Sequence, residues 1–111
     1  MPRVVIAAFK PKLGKRNELA AVIKKHWGIL SDQGLVTDRQ CYVMEAADGT
    51  ILEVFEWKSS EAIEQAHHNP VILALWQEFE AACEYVPLSS LKESQHLFSE
   101  FQPITFPQDA T

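Results

Sequence analysis

The chain has 111 residues, enough for one domain and too few for two ordinary ones. Its apolar fraction of 47% supports a core, and no apolar run nears the roughly 20 residues that span a bilayer. Residues 1–30 hold seven Lys or Arg against one acid and residues 31–111 hold three against fourteen, so most of the molecule would repel phosphates, which argues against a nucleic-acid partner.

The N-terminal stretch MPRVVIAAFKPKLGK has only a short apolar run, followed by Lys-Pro-Lys where a cleavage site would stand, and this is not a secretory signal. Arg3 to Phe9 reads as a first strand, closed by a loop that Pro11 and Gly14 punctuate. Lys10, Lys12, Lys15 and Arg16 read more simply as a solvated loop and helix face than as an anion site. From Lys15 to Gln33 the period turns helical, with Leu19, Val22, Ile23, Trp27 and Leu30 as its apolar stripe. Gly34 stands where a left-handed cap is expected.

A second strand is expected from Leu35 to Met44. The turn Asp48-Gly49 then leads into a third, Thr50 to Trp57. Ser59 and Ser60 open a short helix that ends at His67 and His68. Asn69-Pro70 begins another, whose inner stripe is Ile72, Leu75, Trp76 and Phe79. A fourth strand follows near Glu84 to Leu88. Ser90 and Glu93 make a capping-box pattern, which predicts a short helix carrying Leu97, Phe98 and Phe101. Gln102 to Phe106 is expected to be extended and the final five residues loose. Cys41 and Cys83 fit no metal or redox spacing, so free thiols and a cytoplasmic location are expected. The four histidines add no metal-ligand spacing, and no metal or other cofactor is expected. There is no Gly-rich phosphate loop and no serine nucleophile motif.

The order β-α-β-β-α-β is the ferredoxin-like arrangement, an α+β fold with one antiparallel sheet. Its helices cover one sheet face, yet Val4 to Phe9 are apolar on both faces, and Ile51 to Trp57 nearly so. An uncovered apolar face is rarely tolerated in a monomer, so a second copy of the chain is expected to pack on it, sheet to sheet, as a homodimer.

The stretches FKPKLGKRNEL and DGTILEVFEWKSSEAIEQAHHNPVILALWQEF resemble the dimeric α+β barrel superfamily and its antibiotic-biosynthesis-monooxygenase-like branch. The resemblance covers residues 3–88 of a single domain, 1–111, with residues 89–111 as a C-terminal short helix and tail. It implies a homodimer whose protomers each hold a pocket between sheet and helices. It also implies either a cofactor-independent monooxygenase acting on quinol- or polyketide-like aromatics, or a non-catalytic dimer, ligand-binding or stress-related. Some members degrade haem with a strand-one Asn and a helix His. Here Ala7, Ala8 and Trp76 stand at those places, which speaks against haem.

His67 follows Ile63 by four residues and leans toward the sheet. It matches the histidine that relatives carry facing the pocket, and it is the candidate proton acceptor. The plainer alternative is a hydrogen-bonded helix-end residue. His68 falls beside Glu64 on the solvent side. Trp76, Trp57 and Tyr42 are candidate walls for a small hydrophobic or aromatic ligand, or else ordinary core. Glu53 and Glu56 are unusual acids in so apolar a strand. One is a possible pocket base, while each fits equally well at a rim or paired with Arg39.

Overall fold

The computed structural model describes residues 1–106, so the expectation for the last five residues lies outside the described residues. Its elements are β1 (Arg3–Pro11), α1 (Arg16–Asp32), β2 (Tyr42–Glu45), β3 (Ile51–Trp57), α2 (Ser60–Ala66), α3 (Pro70–Ala82), β4 (Cys83–Val86) and β5 (Gln102–Pro103). The sheet is antiparallel in the order β4-β1-β3-β2-β5. This is the expected α+β, ferredoxin-like arrangement with a short fifth strand added at one edge. No helix among the described residues is long and apolar enough to cross a membrane.

Alternation along the strands sorts the two faces. Phe9, Val43, Ile51, Glu53, Phe55 and Trp57 turn toward the helices and are buried. Val4, Ile6, Ala8, Leu52, Val54, Tyr42 and Met44 turn the other way. At one end of that outer face Ala8 and Leu52 are covered by Leu91 and Phe101 from the C-terminal segment. Toward the other end Val4, Ile6 and Tyr42 stay exposed.

The helix α1 buries Leu19, Val22, Ile23, His26 and Leu30, so His26 takes the place in the stripe expected for Trp27. The reason is angular. At about 100° per residue, position 26 lies about 20° from position 19, whereas position 27 lies about 80° away. Trp27 is half-buried instead, at the edge of the cluster around Phe55 and Trp57.

Two further expectations are corrected. The second strand is shorter than Leu35 to Met44. Val36 makes one bridge to Trp57, and the chain then bends away, with Thr37 Oγ1 donating to Glu56 Oε1 at 2.9 Å and accepting from the Arg39 amide. The C-terminal capping box does not form. Two single turns, Leu88–Ser90 and Lys92–Gln95, stand in place of a helix, because Glu93 accepts from the Ala47 amide at 2.7 Å instead of closing on Ser90. Leu97 and Phe98 are consequently exposed, while Phe101 packs as expected of a core residue.

Candidate functional site

Between the sheet and the helices lies a cavity of about 300 Å³. The strand β1 contributes Ala7 and Phe9, α1 contributes His26, α3 contributes Trp76, Phe79 and Glu80, and β4 contributes Tyr85. Its walls are aromatic. Phe9 stacks on Phe79 with ring centroids 4.8 Å apart, and Tyr85 meets Phe9 edge-on at 5.8 Å.

One buried polar pair abuts this space, with His26 on its lining and Glu53 behind it. His26 is 4% exposed and Glu53 is 0% exposed, and His26 Nδ1 lies 2.6 Å from Glu53 Oε1. A carboxylate only accepts hydrogen bonds, so in the state with Glu53 ionised and the ring neutral the bond fixes the proton on Nδ1 and leaves Nε2 with a free lone pair. The imidazole is further clamped edge-on between Phe55, at 5.4 Å, and Phe79, at 4.9 Å. A carboxylate behind Nδ1 and a free Nε2 are the parts of an oriented general base.

Glu53 reaches this position because strand alternation turns it to the helix face, directly opposite the α1 stripe that carries His26. Its second oxygen, Oε2, accepts no close hydrogen bond among the described residues, although the Cys41 thiol interacts with the carboxylate. Cys41 lies close by, and its thiol is pushed up to about 11 by burial first and by the Glu53 charge second.

Of the residues singled out in the sequence, Trp76 lines the cavity. Trp57 is buried beside Phe55 in a neighbouring cluster, outside the lining. Tyr42 is exposed on the outer sheet face, over a hollow formed with Cys41 and the segment from Pro103 to Phe106. His67 is also exposed. It lies in a shallow surface depression with Ser60, Ile63, Glu64 and His68, and meets Trp76 edge-on at 5.0 Å. Its Nδ1–H donates to the Ile63 carbonyl at 2.9 Å, which satisfies one of the open carbonyls at the end of α2. Glu56 pairs with Arg39 at 3.3 Å, one of the two alternatives left open for it.

A larger hollow of about 570 Å³ lies by the β2–β3 turn and the C-terminal segment, lined by Glu45, Glu93 and Glu100 among others. Glu45 is engaged by Arg16 at 2.9 Å and Glu93 by the Ala47 amide, so two of its three carboxylates are tied up, and no histidine is among its described lining residues to pair with the third. Among the described residues no cluster of His, Cys, Asp and Glu is arranged to hold a metal ion.

No family model and no curated protein sequence matches the chain. Solved structures do. The cofactor-independent oxygenase SnoaB from Streptomyces nogalater is similar at a TM-score of 0.65 and 14% identity, over 98% of this chain and 96% of that one. Rv0793 from Mycobacterium tuberculosis is similar at a TM-score of 0.56 and 17% identity, over the whole of both chains. At these identities the likeness shows the shared fold.

Proposed function

We propose that the protein is a cofactor-independent monooxygenase for small hydroxylated aromatics, working as a homodimer in the manner of the dimeric α+β barrels. The observation that carries this reading is the buried His26–Glu53 pair, 2.6 Å apart, at the wall of an aromatic-lined cavity. The fold shared with SnoaB, a cofactor-independent oxygenase, supports it.

In this reading His26 Nε2 takes a proton from an acidic phenol or from a ring methylene beside a carbonyl. Glu53 holds the resulting imidazolium through Nδ1–H. The electron-rich anion transfers one electron to O₂, and the two radicals join at carbon as a peroxide. The peroxide takes back the proton from the imidazolium; its O–O bond and the remaining C–H bond at that carbon then break, which leaves one oxygen atom in the new carbonyl and releases the other as water. The apolar walls exclude solvent and hold the ring flat against Trp76 and Phe79.

The test is oxygen consumption with a panel of hydroquinones, naphthols and anthrones, comparing His26→Gln with His67→Ala. Removing His26 altogether would leave Glu53 as an unpaired buried charge, at a cost of about 3–5 kcal/mol. Glutamine keeps a donor for Glu53 and removes the base. His26→Gln should lower turnover by about 10²–10⁴-fold, the range for a lost general base, and His67→Ala should change it little. The opposite ranking would move the base to His67. Turnover on none of the panel, with tight binding of its members, would favour the non-catalytic ligand-binding dimer.

A further inference from the structure

The way into the cavity is chemically lopsided. At its inner wall stands His26 with the Glu53 carboxylate behind it, and at its mouth stand Glu80 and Tyr85, both exposed. No Lys or Arg is among the described lining residues. Lys12, outside the lining, directs its ammonium to the Glu80 main-chain carbonyl at 2.7 Å, at the end of α3. Tyr85 keeps 56% of its surface exposed, and burial of the remainder, with lesser pushes from Cys83 and Glu80, raises its phenol to about 12. At neutral pH it is therefore a neutral hydrogen-bond donor, and Glu80 is a pure acceptor.

We infer that the Glu80–Tyr85 mouth selects uncharged hydroxyarenes of one or two rings and rejects those that carry a carboxylate. This rests on the proposed function, since it assigns the ligand class of that same cavity. Two features argue for it. A ligand carboxylate would lie between two protein carboxylates with no lining cation to meet it, and partial burial weakens solvent screening there. In addition, a volume of about 300 Å³ is at the lower end of the range for small-molecule sites, which suits one or two rings rather than four. A second hydroxyl on the ligand would have Glu80 to donate to and Tyr85 to accept from.

The experiment is equilibrium binding by calorimetry of 2-naphthol and of 6-hydroxy-2-naphthoate, to the wild type, Glu80→Gln and Glu80→Lys. Glu80 is exposed and its side chain lies outside the buried core, so both variants should fold. The naphthol should bind the wild type at least about tenfold more tightly than the hydroxynaphthoate, as expected for one partly screened like-charge contact. Glu80→Gln should close most of that gap without weakening the naphthol, and Glu80→Lys should reverse it. Equal binding of both probes to the wild type, or a preference untouched by Glu80→Gln, overturns this inference alone, because bound naphthol still supports the hydroxyarene cavity. Binding of neither probe overturns this inference and the proposed function together.

Discussion

One oxygen of Glu53 is held by His26, and the other accepts no close hydrogen bond among the described residues. Buried charge of this kind persists only when something nearby compensates it, and here the groups beside it are the His26 ring and the Cys41 thiol. The Cys41 thiol reports on that charge, because the negative charge of Glu53 is the second cause of its rise to about 11. Glu53→Gln should therefore bring the Cys41 value down and speed its alkylation at pH 8. Cys83, also raised to about 11 but by burial and without Glu53 among its causes, serves as the internal control. Alkylation of the two thiols followed by mass spectrometry checks this, and an unchanged Cys41 rate would mean that Glu53 does not act on the thiol. The same pair shows what the sequence conceals at this scale. Glu53 was visible as an acid in an apolar strand, but its partner lay 27 residues away in the sequence, and nothing local links them. His26 was legible in principle from its angular place on the α1 stripe. The neighbouring Trp27, larger and more apolar, masks it. His67 drew attention because it shares a helix face with Ile63 and matches a histidine of the family the sequence resembles, whereas its bond to the Ile63 carbonyl is visible only with the backbone in view.

Elements are joined by caps as much as by apolar stripes. Asn69 Oδ1 accepts from the Val71 amide at 2.9 Å and from the Ile72 amide at 3.4 Å, while its Nδ2 donates to Gln33 Oε1 at 2.9 Å. One side chain thus starts α3 and ties it to the end of α1, the two helices that supply His26, Trp76 and Phe79 to the cavity. Asn69→Ala should destabilise the fold by about 1 kcal/mol, the usual cost of a lost N-cap. Asn69→Asp keeps the cap and gives up only the donation to Gln33, so it should cost less. Denaturant unfolding of the two variants measures the difference, and equal losses would assign the effect to the Gln33 contact. Local signals of this kind were legible: Asn69-Pro70 as a helix start, Gly34 at a positive φ of 72° beyond α1, and Asp48-Gly49 at the β2–β3 turn. The signals that failed were those a distant partner overrode. The Ser90–Glu93 pattern promised a capping box, and Glu93 went to the Ala47 amide across the fold. The run from Leu35 looked like one continuous strand, and Thr37 was drawn off by Glu56.

At the scale of the whole molecule the strand pairing decides which side chains lie on the uncovered face. Ile6 pairs with Val54, and Val54 with Tyr42, so these three form one row across β1, β3 and β2 on the face away from the helices. With Val4 they make a patch in which Val4 is 62% exposed, Ile6 47% and Tyr42 58%. Leu52, on the same face, is already covered by Leu91 and Phe101, so the C-terminal segment shields one end and leaves the row to something else. The homodimer proposed above would place a second copy there. Light scattering at micromolar concentration should then give about twice the 12.6 kDa of one chain. Ile6→Glu puts a charge in the middle of the row and should yield a monomer with a lower melting temperature, since association and folding are linked in such a dimer. Leu13→Glu, at a fully exposed loop position after β1, should leave mass and melting temperature unchanged. A wild type that runs as a 12.6 kDa particle, or an Ile6→Glu protein that still runs at twice that mass, would mean that this face is not where two copies meet.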